Sequence, residues 1–92
     1  MINDVQLAKS AEKDLKKVPD FILRKFIFWV NSIAEIGLEE TRKSKGFHDE
    51  PLSGKRKGQR SIRLNRSYRA IYEIKGTRIK FVQVLEVNKH EY

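Results

Sequence analysis

The sequence predicts an α+β domain: two helices from the N-terminal half, packed on one face of a small antiparallel sheet from the C-terminal half. Up to residue 37, apolar residues recur at spacings of three and four, as one face of a helix requires. After residue 60 the pattern changes to alternation and to aromatic and β-branched runs, broken by turn signals. Ninety-two residues, 39% of them apolar, make one domain spanning 1–92. A chain of this size buries only about 60% of the surface it exposes unfolded, so its core must be economical.

Val5-Gln6-Leu7-Ala8 alternates briefly and reads as an opening strand. Ser10 is the expected N-cap of a first helix, with Ala11, Leu15 and Val18 on its inner face. Pro19 ends that helix, and Asp20 is placed to cap the next. Phe21–Ile36 is the most apolar helix, with Ile22, Phe26, Trp29, Val30, Ile33 and Ile36 along one stripe and Gly37 expected to stop it. Phe21 and Phe28 fall off the stripe, among Arg24, Lys25, Ser32 and Glu35. They either pack under a neighbouring loop or form surface for a partner chain. Leu38–Lys45 is polar, with room for one more helical turn, and Gly46, Pro51, Gly54 and Gly58 punctuate the loop after it. Three strands follow, Ser61–Asn65, Tyr68–Ile74 and Ile79–Val87, joined by turns at Asn65-Arg66-Ser67 and Lys75-Gly76-Thr77.

The chain contains no cysteine, which removes disulfides, thiolate nucleophiles and thiolate zinc sites and fits a reducing cytoplasm. No run approaches the ~18 apolar residues of a membrane span. The start, Met1-Ile2-Asn3-Asp4, lacks a secretory pattern, so a cytoplasmic protein with no membrane partner is expected. Twenty Lys and Arg against twelve Asp and Glu leave a net charge of +8, most of it after residue 46. Lys55, Arg56, Lys57, Arg60, Arg63, Arg66 and Arg69 lie in one segment with no acid among them. A polyanion is the natural partner of such a segment, because neutralised phosphates release their counterions.

If Asn65-Arg66-Ser67 is the turn, Arg63 and Arg69 are symmetric about it. They would then face each other with Cβ atoms ~4.5–5.5 Å apart. Two guanidiniums so placed repel unless an anion lies between them, and their planar forks fit phosphate oxygens. A bulged turn would shift the register and part them. Glu50 and its neighbour Asp49 are the carboxylates nearest in sequence to this cluster, and spacing does not choose between them. Of the two histidines, His48 reads as a loop surface residue, whereas His90 directly follows the last strand. Two distant histidines without cysteines or clustered carboxylates offer no metal-ligand spacing, so neither metal nor cofactor is expected. A base, two arginines and an acid suit one reaction: RNA cleavage by its own 2′-hydroxyl. Tyr92 is available to stack on a base.

The run Asp49-Glu50-Pro51-Leu52-Ser53-Gly54, then Gly58 to Asn65, then Tyr68-Arg69-Ala70-Ile71-Tyr72 and the ending His90-Glu91-Tyr92 resembles the RelE/ParE superfamily of type II toxin–antitoxin toxins. Within it the match is to HigB-like and YoeB-like mRNA interferases. The resemblance implies a RelE-like β-α-α-β-β-β fold with a strongly twisted sheet. It also implies metal-free cleavage of mRNA in the ribosomal A site, leaving 2′,3′-cyclic phosphate and 5′-hydroxyl ends. On the YoeB-like pattern Glu50 is the general base, Arg63 and Arg69 bind phosphate, His90 is the acid and Tyr92 the terminal tyrosine. Here Glu91 separates His90 from Tyr92, which that pattern keeps adjacent, and Arg60 and Arg63 stand where RelE uses lysines. Lys55, Arg56, Lys57, Arg60 and Arg66 are the expected RNA- and ribosome-binding residues. The implied partners are the 70S ribosome carrying mRNA and a cognate antitoxin, with Phe21 and Phe28 as candidate antitoxin contacts. Two other readings stand beside this one: a ParE-like toxin that binds DNA gyrase and cleaves no RNA, and a nonenzymatic basic RNA-binding module.

Overall fold

The computed structural model describes residues 1–89. The elements run β1 (Val5–Leu7), α1 (Lys9–Leu15), α2 (Asp20–Arg42), β2 (Glu50–Pro51), β3 (Gln59–Arg63), β4 (Tyr68–Lys75) and β5 (Phe81–Lys89). Single 3₁₀ turns at Lys45–Phe47 and Gly54–Arg56 flank β2. The five strands form one sheet in the order β1-β5-β4-β3-β2, an α+β fold with both helices packed on it. The sheet is antiparallel except at β1, which pairs in parallel with β5, Val5 opposite Val82. The two strands lie at opposite ends of the chain, so everything between them serves as the long connection a parallel pair needs.

Both helices begin differently from the expectation. Ala8, not Ser10, occupies the first cap position; its N–H bonds the Val84 carbonyl at 2.9 Å, so β1 runs straight into α1. Pro19 caps α2, and Asp20 is its first helical residue, where a carboxylate favours the positive end of the helix dipole. Gly37 does not stop α2 but breaks it, with φ 85° and ψ 162°, before the helix resumes to Arg42. At the break the Leu38 N–H turns to the Ile2 carbonyl at 2.8 Å, and Thr41 Oγ1 donates to the Gly37 carbonyl at 2.8 Å. A Cβ at Gly37 would lie 2.6 Å from Met1 Cγ, in a backbone region that L side chains rarely adopt. The break also changes the core. Ile22, Phe26, Trp29 and Ile33 are buried as the stripe requires, but the next inward position falls to Leu38, leaving Ile36 49% exposed.

Tyr72 and Trp29 meet at the centre of this core, ring centroids 5.3 Å apart. Ile62, Ala70, Val82, Val84 and Val87 supply the sheet's share of it. Strand β3 starts two residues earlier than expected and ends at Arg63, because Asn65 belongs to the turn. Its side-chain oxygen accepts the N–H groups of Ser67 and Tyr68 at 2.7 and 2.8 Å. Strand β5 starts at Phe81 rather than Ile79, since the β4–β5 connection is longer than three residues. The Ile79 carbonyl packs against Gly76, where a Cβ would collide with it. Between Ile71 and Tyr72 the β4–β5 register shifts, placing Leu85 in a bulge. Helix α1 serves the polar groups at this bulge. The Ser10 hydroxyl donates to the Leu85 carbonyl at 2.6 Å, and Asp14 accepts the Val87 N–H at 2.9 Å. Among the described residues no helix is long and apolar enough to cross a membrane.

Candidate phosphate-binding site

The β3–β4 hairpin pairs Arg63 with Arg69, Ser61 with Ile71 and Ile62 with Ala70. Ile62 and Ala70 point into the core, so by alternation Arg63, Arg69, Ser61 and Ile71 occupy the opposite face. Strand β2 extends that face, since Glu50 pairs with Ser61. On the far side β5 contributes Glu86, opposite Ile71, and Asn88, opposite Arg69. The helix-free face of the sheet therefore carries two arginines, two carboxylates and a hydroxyl around an apolar floor at Ile71. Arg69 Nη1 lies 3.5 Å from Glu50 Oε1 and donates to Ser61 Oγ at 3.4 Å. Arg69 is largely covered, while the Glu50 side chain is 56% exposed. A carboxylate that reaches solvent and a guanidinium held in place beside it suit proton abstraction next to a bound anion.

One residue away the chemistry is different. The Asp49 side chain is only 2% exposed and accepts from Arg60 Nε at 2.6 Å and from the Tyr72 hydroxyl at 2.5 Å. Arg42 Nε donates to the same Tyr72 oxygen at 3.4 Å. Burial, and then the bond to Asp49, push the Tyr72 phenol well above the ordinary tyrosine range. Burial alone would lower the Arg60 pKa, but its bond and attraction to Asp49 outweigh that and raise it. Asp49 is thus a structural anchor behind the sheet, and Glu50 is the carboxylate on the arginine face. Arg60, expected on the RNA surface, is instead turned inward by the pleat and tied to Asp49.

Arg56 likewise has protein partners, Gln59 Oε1 at 2.8 Å and Glu86 Oε1 at 3.0 Å, which pin the basic loop to the sheet. Lys55 and Lys57 beside it are exposed, as is Arg66 in the hairpin turn. His90 and Tyr92 lie outside the described residues. Phe21 and Phe28 are 60% and 58% exposed. Phe28 packs in part under a neighbouring loop. Its ring lies 6.1 Å from Phe47 in the loop after α2, yet most of it faces outward.

Three side chains near the arginines were not singled out as site residues by the sequence. Ser61 shares the face by pairing with Glu50, a relation that follows once β2 is known to be a strand. His48 and Lys25 join Gly46, Arg63, Leu64, Asn65 and Arg66 around a cleft of about 260 Å³. His48 holds φ 46°, the only non-glycine positive φ among the described residues. No sequence signal connects Lys25 to this loop, because only tertiary packing brings α2 there. Among the described residues no group of three His, Cys, Asp or Glu is placed to hold a metal ion.

Residues 5–91 match the family described as the ParE toxin of type II toxin–antitoxin systems. Among curated protein sequences none matches at a significant level. The fold is similar to that of a YoeB/ParE toxin from Agrobacterium tumefaciens, with TM-score 0.74 and 18% identity over 96% of this chain and 99% of that one. It is also similar to the toxin–antitoxin complex RelBE2 from Mycobacterium tuberculosis, with TM-score 0.67 and 24% identity over 98% of this chain and 100% of that one. A third likeness is to the DinJ–YafQ toxin–antitoxin complex from E. coli, with TM-score 0.73 and 17% identity over 98% of this chain and 94% of that one.

Proposed function

This chain belongs to the ParE toxin family of type II toxin–antitoxin systems, within the RelE/ParE superfamily, and from that premise we propose that it is an endoribonuclease acting on mRNA in the ribosomal A site. The observation that carries this reading is the cross-strand pairing of Arg63 with Arg69, together with Glu50 at 3.5 Å from the Arg69 guanidinium. Two like charges set face to face repel each other, and a shared anion offsets that repulsion. Glu50 takes the proton from the 2′-hydroxyl, and that oxygen attacks the adjacent phosphorus. Arg63 and Arg69 stabilise the charge on the pentacoordinate phosphorane. The P–O5′ bond breaks as His90 gives its proton to the departing 5′-oxygen, leaving a 2′,3′-cyclic phosphate and a 5′-hydroxyl. Proton-transfer groups of this kind each contribute roughly 10²–10⁴-fold. His90 and Tyr92 enter on the strength of the resemblance alone; in sequence His90 follows Asn88, the partner of Arg69, by two residues. The mechanism requires no metal or organic cofactor and places the protein in the cytoplasm with the ribosome.

As a type II toxin the protein has a cognate antitoxin for a partner. Phe21 and Phe28, exposed along α2, suit that contact. Lys55, Lys57 and Arg66 suit contacts with RNA phosphates, and Arg56 holds their loop in place. The second reading is a gyrase-directed toxin, favoured by the description of the matching family. Primer extension on a translated message after induction decides between them. Codon-phased cuts that vanish in His90→Ala are expected, whereas intact message with inhibited gyrase overturns the ribonuclease reading.

A further inference from the structure

We propose that the cleft between α2 and the β3–β4 turn is a second phosphate site, which holds the RNA phosphodiester next to the scissile one. The inference rests on the ribonuclease reading and deepens it. The cleft measures about 260 Å³, and among the described residues no carboxylate lines it. Its polar lining is Lys25, His48, Arg63, Asn65 and Arg66, drawn from three separate segments of the chain. Lys25 and Arg63 bring two cationic side chains to the cleft with no carboxylate among the described lining residues, and a bound anion offsets their mutual repulsion.

Lys25, His48 and Asn65 are each held in place by something other than the cleft. Lys25 Nζ lies 4.8 Å from the Phe47 ring centroid and 5.8 Å from that of Phe28, so two aromatic rings fix the ammonium. His48 is held in the left-handed region, a conformation that non-glycine residues adopt at some cost and that gathers at ligand sites. The Asn65 carboxamide oxygen is used by the turn, which leaves its amide nitrogen as the half able to donate. Arg63 belongs both to this cleft and to the pair with Arg69, so the two anion positions are contiguous. Adjacent phosphates in a single strand lie several ångströms apart, and one arginine between two of them fixes the register of the strand relative to Glu50. The occupant is therefore an RNA phosphodiester and not a free metabolite phosphate.

The test is an NMR titration of the histidine ring resonances and the arginine side-chain signals, first with inorganic phosphate and then with a trinucleotide 2′-O-methylated throughout, which binds but cannot be cut. Both probes should move the His48 signals saturably, and inorganic phosphate should do so in Arg69→Ala as in wild type. Lys25→Ala should weaken each probe about 1.5- to fivefold at His48, the size of one exposed charge contact. The trinucleotide should bind more tightly than phosphate in wild type and lose part of that advantage in Arg69→Ala, which loosens the grip on its second phosphate. His48 signals that stay still with both probes overturn the site. Signals that follow phosphate but not the trinucleotide overturn its assignment to RNA. Neither readout requires cleavage, so loss of this site and failure of the ribonuclease reading are distinguishable.

Discussion

Replacing Arg69 by alanine separates chemistry from stability, because the terms acting on the fold nearly cancel. The pair with Glu50 is long, 3.5 Å, and Glu50 is 56% exposed. Such a pair is worth about 0–1 kcal/mol. Arg63 lies directly across the hairpin, and relief of a facing like charge returns roughly 0.2–1 kcal/mol. Truncating the covered stem of Arg69 adds a packing loss of about 1 kcal/mol. The net destabilisation is then about 1 kcal/mol, which a domain with 5 kcal/mol or more of stability tolerates. The chemical loss is far larger: removing one preorganised donor from a developing oxyanion costs roughly 10²–10³ in rate. The two are read by urea unfolding and by single-turnover cleavage on ribosomes programmed with a defined message. Cleavage within about threefold of wild type, where 10²–10³ is expected, refutes the clamp. So does an unfolding loss above about 3 kcal/mol that accounts for the whole rate effect.

Asp49→Ala should do the reverse. It strands the Arg60 guanidinium and the Tyr72 hydroxyl, and after discounting for the partial exposure of Arg60 it costs about 2–3 kcal/mol in urea unfolding; an unchanged midpoint contradicts the anchor role. The raised Tyr72 pKa predicts stability that is fully present below pH 10 and declines above it, since the unfolded phenol ionises there while the folded one stays protonated. Tyr72→Phe should therefore show a shallower alkaline limb than wild type in thermal melts across that range, and parallel limbs refute the linkage. Lys55→Ala with Lys57→Ala should weaken ribosome binding and reduce its salt dependence by up to about 0.7 per lost phosphate contact, with little change in single-turnover cleavage once bound. Equal affinity at every salt concentration removes the loop from the binding surface. EDTA, at a level that leaves the ribosomes verified to be whole, should leave cleavage intact, and activity lost to EDTA on such ribosomes and restored by Mg²⁺ alone contradicts the metal-free mechanism.

The features legible in the sequence were those governed by local rules. Asn65 marks a turn, and the residues on either side of it must pair, so the Arg63–Arg69 juxtaposition followed from counting outward. The helical stripe was legible as far as Ile33, because each position depends on the one a turn before. It failed at Ile36, where Gly37 changes the direction of the chain through a contact with Ile2 that lies far away in sequence. The choice between Asp49 and Glu50 was likewise closed to spacing, and only the family resemblance pointed to Glu50. They are adjacent, and only the pairing of the two-residue strand β2 with β3 sends one inward and the other outward. The same pleat took Arg60 away from the basic surface, since a run of positive residues on a strand must alternate between faces. Lys25 and His48 are adjoined by packing alone, and nothing local to either announces the other.

The bulge at Leu85 has a consequence for how the far end of β5 is aimed. Along a regular strand Val82, Val84 and Val87 cannot all face inward; the extra residue makes it possible, and Asn88 thereby comes to stand beside Arg69. Ser10 and Asp14 hold that phase from outside the sheet. The short first helix thus works as a jig that sets which face Asn88 takes, and deleting Leu85 should turn Asn88 to the opposite face while leaving the arginine hairpin untouched.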